Sequence, residues 1–131
     1  NKLRIKILEK NIIAIFIQNK KFYYLSEDGE KINFFKHKNL ENLPSIIGGR
    51  NNFVELHKSL KKLSFPVESI KTYYYHEIGR WDIVLNNKNL IKLPVQNFED
   101  SIKSYLNIRN DSKFYSYKVF DFRITNQLIL R

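Results

Sequence analysis

An α+β domain built on a mostly antiparallel sheet is what this sequence predicts, and three observations carry it. Short runs rich in Ile, Val, Phe and Tyr are bounded by turn residues. Two stretches, opening at Asn52 and Asn97, repeat apolar residues at helical spacing. The strands come in runs joined by hairpin signals, without strict strand–helix alternation.

The elements follow in order. Leu3, Ile5 and Ile7 alternate with Arg4 and Lys6, the period of a half-buried strand. Asn11 breaks it, and Ile12–Ile17 is a continuous apolar run, too short for a typical helix, that reads as a strand buried on both faces. Gln18–Lys21 turns the chain into the strand Phe22–Leu25. Asp28-Gly29 then marks a hairpin turn into Lys31–Phe35. Leu40–Ile47 reads as a short helical turn stopped by Gly48-Gly49. Asn52 with Glu55 forms a capping box for a helix whose face is Phe53, Leu56, His57, Leu60 and Leu63. Pro66 helps to end that segment, and Val67–His76 is rich in β formers. Trp81, Ile83 and Leu85 make the next strand, Asn86–Asn89 the turn, and Leu90–Leu93 the returning strand, closed by Pro94. Asn97 with Asp100 caps a second helix with the face Phe98, Ile102, Tyr105 and Leu106. Phe114–Ile124 reads as the longest strand, and Thr125-Asn126 turns it into Gln127–Arg131.

A chain of 131 residues with 43% hydrophobic and 15% aromatic residues buries a core without staples. It has no cysteine, so neither disulfides nor thiol chemistry are available. It starts at Asn1, which points to a piece of a longer protein, and no apolar run approaches the roughly 20 residues of a membrane span. The net charge of +10 favours acidic partners, nucleic acid or anionic surfaces. The cations are scattered lysines with six arginines and no basic block, so a nucleic-acid-binding module is the alternative reading and not the leading one.

Catalytic and metal motifs are wanting. His37, His57 and His76 lack ligand-spaced partners, and His57 on its apolar face reads as structural. Gly48-Gly49-Arg50 lacks the phosphate-loop pattern and reads as a helix stop and turn. Glu27, Asp28 and Glu30 cluster at a hairpin tip without calcium-loop spacing, and a hydrolase built on Glu27, Asp28 or Asp82 would need converging acids that the sequence does not pair. Tyr73-Tyr74-Tyr75 offers at most two rings to one face, because neighbouring strand residues point apart. No cofactor is implied.

Five segments in order resemble the FtsQ/DivIB family of bacterial cell-division proteins. Glu9–Phe16 is similar to the family's E-R-x-P-x-A-x-W stretch, with Ile12 where proline is usual. Leu25–Gly29 is similar to its V-D-x-x-G turn, and Leu43–Gly48 to its L-P-x-L/I-x-G segment. Arg80–Leu85 with Ile91–Pro94 resembles the R-W-x-L-x-L…V-x-L-P hairpin of the alphaproteobacterial branch, without the usual turn glycine. Asp121-Phe122-Arg123 is similar to the D-L-R near the family's C-terminus.

The resemblance implies a non-catalytic, single-pass inner-membrane protein whose POTRA domain and β domain lie in the periplasm at the division site. Residues 1–10 would then end the POTRA domain, and residues 11–131 form the β domain. It implies FtsB and FtsL as partners in a complex that helps control septal peptidoglycan synthesis. In the family a segment of FtsB adds a strand to the edge at the C-terminal end of the β domain, which corresponds here to Gln127–Arg131. The implied docking residues are Arg123, Ile124, Asn126, Gln127, Leu128, Ile129 and Leu130, with Arg80 as a second cation. Arg123 would meet an acidic group of the partner, with its replacement by Glu leaving the thermal midpoint nearly unchanged.

Overall fold

The computed structural model describes residues 11–35, 40 and 42–131. The expected strand over Leu3–Leu8 and the end of a POTRA domain lie outside the described residues. The chain forms β1 (Ile12–Gln18), β2 (Lys21–Ser26), β3 (Lys31–Asn33), β4 (Ser45–Ile47), α1 (Arg50–Lys62), β5 (Ile70–His76), β6 (Arg80–Leu85), β7 (Leu90–Lys92), α2 (Phe98–Ile108), β8 (Val119–Asp121) and β9 (Ile129–Leu130). All nine strands join one sheet in the order β3-β2-β1-β4-β5-β6-β7-β8-β9. Five of the eight neighbouring pairs are antiparallel, and β1–β4, β4–β5 and β7–β8 are parallel. The α+β class stands. Parallel neighbours need a long connection: helices supply it in the crossovers β4–α1–β5 and β7–α2–β8, and the β2–β3 hairpin lies within the connection from β1 to β4.

Both helices pack on one face of the sheet. Phe53, Leu56 and Leu60 of α1, with Ile102 and Tyr105 of α2, meet Phe16, Ile46, Tyr73, Ile83, Ile91 and Phe120. Tyr105 stands edge-on to Phe120 with ring centroids 5.0 Å apart, which ties α2 to β8. On the opposite face Ile12, Tyr24 and Ile32 form a second cluster, backed by Ile15, Phe35, Leu40 and Leu43. The Ile12–Ile17 run is thus buried against both clusters, as its composition requires. A bulge between Ile12 and Ala14 lets Ile12 and Ala14 serve different faces.

Four local expectations are corrected. Ser45–Ile47 is a strand and not part of a helical turn: Ile15 donates to the Pro44 carbonyl at 2.9 Å, and Ile46 is buried between Phe16 and Tyr73. Gly48-Gly49 therefore does follow a strand, and it turns β4 into α1. That helix opens at Arg50 with Gly49 as its N-cap, while Asn52 spends its side chain on the Tyr75 hydroxyl at 2.6 Å, so no capping box forms. Val67–Ser69 is a 3₁₀ turn, and β5 begins at Ile70. Phe114 ends another 3₁₀ turn over Ser112–Phe114, held by the Asp111 carboxylate on the Lys113 amide, and extended pairing is confined to Val119–Asp121.

Tyr73 and Tyr75 both turn to the helix side, Tyr73 fully buried, and only Tyr74 is exposed on the other face. The two rings that might have stacked bases are therefore occupied with core packing.

Candidate docking edge and its arginine–aspartate clasp

The sheet face away from the helices carries a row of residues in cross-strand register. Tyr74, Asp82, Lys92, Asp121 and Ile129 follow one another across β5 to β9. Two aspartates thus flank one lysine, and each aspartate has an arginine two positions away in sequence. Residues at that spacing in an extended chain share a face, so Arg80 reaches Asp82 and Arg123 reaches Asp121.

Asp82 accepts from Arg80 Nη1 and pairs with His76 Nε2 at 2.9 Å. The Arg80 side chain is only 11% exposed, so this guanidinium is committed to Asp82 and poorly placed to meet a partner. Asp121 is the more crowded acceptor. Arg123 Nε lies 2.9 Å from Oδ1 and 3.1 Å from Oδ2, and Arg123 Nη2 lies 2.6 Å from Oδ2. The Arg123 backbone amide also donates to Oδ1 at 3.0 Å, an Asx-type turn that ends the strand. Arg131 Nη2, next to β9, donates to Oδ2 at 3.0 Å. Asp121 is buried, yet the Arg123 hydrogen bonds, aided by the Lys92 charge, hold its carboxyl down at about 2 against the opposing effect of burial. The same bond raises the pKa of Arg123.

The resemblance implies that Arg123 meets an acidic group of the partner. The structure gives it a partner within the chain, although its side chain remains 42% exposed. Arg123→Glu would set a second carboxylate beside a buried one, so the expected unchanged midpoint does not survive. Asp121, named only within its motif, and Arg131, named only as the end of the edge, were not among the expected docking residues. The i, i+2 spacing of Asp121 and Arg123 was a readable signal for the first, whereas the contact of Arg131 depends on how β9 returns.

That return is a tight turn: Gln127 donates to the Ile124 carbonyl at 3.0 Å, and Asn126 takes a left-handed φ of 62°. Ile124, Asn126 and Gln127 are exposed, Leu128 and Leu130 pack partly against the core, and Ile129 points out on the other face. Arg131 and Val119 exchange both backbone hydrogen bonds, at 3.0 and 2.9 Å. Backbone groups alternate sides along a strand, so the N–H and C=O of Leu130 point away from β8. β9 is the last strand of the sheet, and these groups face its outer edge. Beside it an open groove of about 540 Å³ runs between α2 and this turn, walled by Asp100, Ser104, Asn107, Phe122, Ile124 and Leu128.

The family model described as "Cell division protein FtsQ/DivIB, C-terminal" matches residues 14–123. The chain belongs to the FtsQ/DivIB family. It is similar to the cell division protein FtsQ of Rickettsia conorii, 29% identical over 97% of this chain and 49% of that protein. It is likewise similar to FtsQ of Rickettsia bellii, 30% identical over 94% of this chain and 47% of that protein. The chain thus spans about half the length of the curated relatives it matches. Among solved structures it is similar to the major extracytoplasmic domain of the division protein DivIB from Geobacillus stearothermophilus. The TM-score is 0.51 at 16% identity, over 79% of this chain and 94% of that one, a likeness of fold. No helix among the described residues is long and apolar enough to cross a membrane.

Proposed function

We propose that this domain is a non-catalytic scaffold of the division machinery that docks a strand of FtsB on the outer edge of β9. The observation that supports the reading most is that edge itself: a terminal strand whose Leu130 N–H and C=O face outward, with an exposed arginine beside it. FtsL joins through the same complex, and the assembly acts at the periplasmic side of the inner membrane on septal peptidoglycan synthesis. Residues 11–131 form the β domain of the longer protein.

Leu130→Pro removes the outward donor, and Leu130→Ala removes a comparable side chain while keeping it. Calorimetric titration with the extracytoplasmic segment of the cognate FtsB should show at least tenfold weaker binding for the proline variant than for the alanine variant. Equal affinity of the two would sink strand addition at this edge.

A further inference from the structure

Arg123 does not meet Asp121 end-on. Its contacts run along the Nε–Nη2 side of the guanidinium, at 2.9 and 3.1 Å from Nε and 2.6 Å from Nη2. A guanidinium carries five N–H donors in a rigid plane. One carboxylate held along that side leaves the fork made by Nη1 and the second N–H of Nη2. Among the described residues no acceptor meets Nη1. A second carboxylate fits this fork without displacing the first.

The local charge favours one. Around Asp121 stand three cations, Arg123, Arg131 and Lys92, against two carboxylates, its own and that of Asp82, which shares Lys92 and is itself paired with Arg80. The clasp is also sturdier than a surface ion pair, because its carboxylate is 2% exposed and also ties down the backbone amide of Arg123. An isolated exposed arginine would have to surrender side-chain freedom on binding; this one has already lost it.

We infer that Asp121 is the positioning residue of the docking edge: it grips Arg123 from the side, so that the open fork of the guanidinium is presented to a carboxylate on the incoming strand. The inference rests on the docking reading above, with the acidic partner group that the family resemblance implies, and adds the residue that holds Arg123 in place to receive it.

The test has a part that needs no partner. In the full chain labelled with ¹⁵N, Asp121→Asn should speed hydrogen exchange at the Arg123 Nε–H at least tenfold. Unchanged exchange overturns the inference whatever any peptide does. The second part is a double-mutant cycle, titrating the FtsB segment into the parent, Asp121→Asn, Arg123→Gln and the double variant. Asp121→Asn should weaken binding at least tenfold in the parent background and less than twofold where Arg123 is already Gln. The same loss in both backgrounds would mean that Asp121 serves the fold alone. Arg123→Lys, which keeps the charge but has no fork and leaves the carboxylate in place, should lose at least fivefold; parent-like affinity for it also overturns the inference. Failure of the parent itself to bind the segment rejects the docking reading, and the exchange measurement then still decides whether Asp121 fixes Arg123.

Discussion

Replacing Gly49 with alanine tests the junction that turns β4 into α1. Gly48 and Gly49 both have left-handed backbones, with φ of 76° and 67°. A methyl group at either position costs roughly 1–2 kcal/mol for that conformation alone. At Gly48 the nearest atoms would be the Tyr75 carbonyl at 3.5 Å and its Cβ at 3.6 Å, ordinary contacts. At Gly49 the added carbon would strike Tyr75 Cγ, lie 2.6 Å from Tyr75 Cβ and 2.9 Å from Trp81 Cη2. Neither ring can easily yield, since Tyr75 and Trp81 pack with centroids 4.8 Å apart and Trp81 also stands against Phe53 and Tyr73. Overpacking of this kind adds about 1–3 kcal/mol. Gly49→Ala should therefore lose about 2–5 kcal/mol and Gly48→Ala about 1–2 kcal/mol. For a domain of this size each kcal/mol moves the midpoint by roughly 3–4 °C. Urea titrations followed by tryptophan fluorescence, with calorimetric midpoints beside them, read both variants. A Gly49→Ala loss no larger than that of Gly48→Ala would refute the close approach.

Three further outcomes are expected. Ile129→Pro should destabilise the domain more than Leu130→Pro in urea titrations, because the Ile129 N–H faces β8 and that of Leu130 faces outward; the reverse order would contradict the assigned register. His57 is buried with neither ring nitrogen bonded among the described residues, and burial lowers its pKa despite the opposing charge of Glu27. Its unfolded form therefore takes up the proton first, so stability is full above pH ~6.5 and falls as the pH drops below it; His57→Leu should remove that part of the slope, and parallel pH curves would speak against it. Asp121 shifts the other way: its pKa falls from 3.8 to about 2, so its contribution is present above pH ~4 and is lost as the pH drops through 2. Asp121→Asn should forgo about 2 kcal/mol at pH 7 and show no such loss in acid, as equilibrium unfolding at the two pH values would reveal.

Much of this architecture was legible from residue order because the signals were local. Asp28-Gly29 set the β2–β3 hairpin, Asn86–Asn89 set the β6–β7 turn, and the Phe98, Ile102 and Tyr105 spacing set α2. What escaped depended on neighbours distant in sequence. Ser45-Ile46-Ile47 is too short to show a period, and it is a strand because β1 and β5 lie on either side of it. Phe114 looks like a strand residue until Asp111 folds the chain around Lys113. Of the proposed docking edge, the alternation of Leu128 and Leu130 was visible, and Arg123 was a candidate anchor through its resemblance to a family motif. The burial of Asp121 was not visible, because it requires β7 and β9 to arrive on its two sides.

Along Ile129–Leu130 a partner strand would meet more side chain than free backbone. With Leu130 the outward-facing residue of the strand, ladder pairing adds about two hydrogen bonds, each worth roughly 1 kcal/mol net. Even micromolar affinity needs about 8 kcal/mol. In the proposed docking, side chains supply the rest, Arg123 and the neighbouring groove foremost. The same partner segment tethered alongside the domain gains further from a high effective concentration.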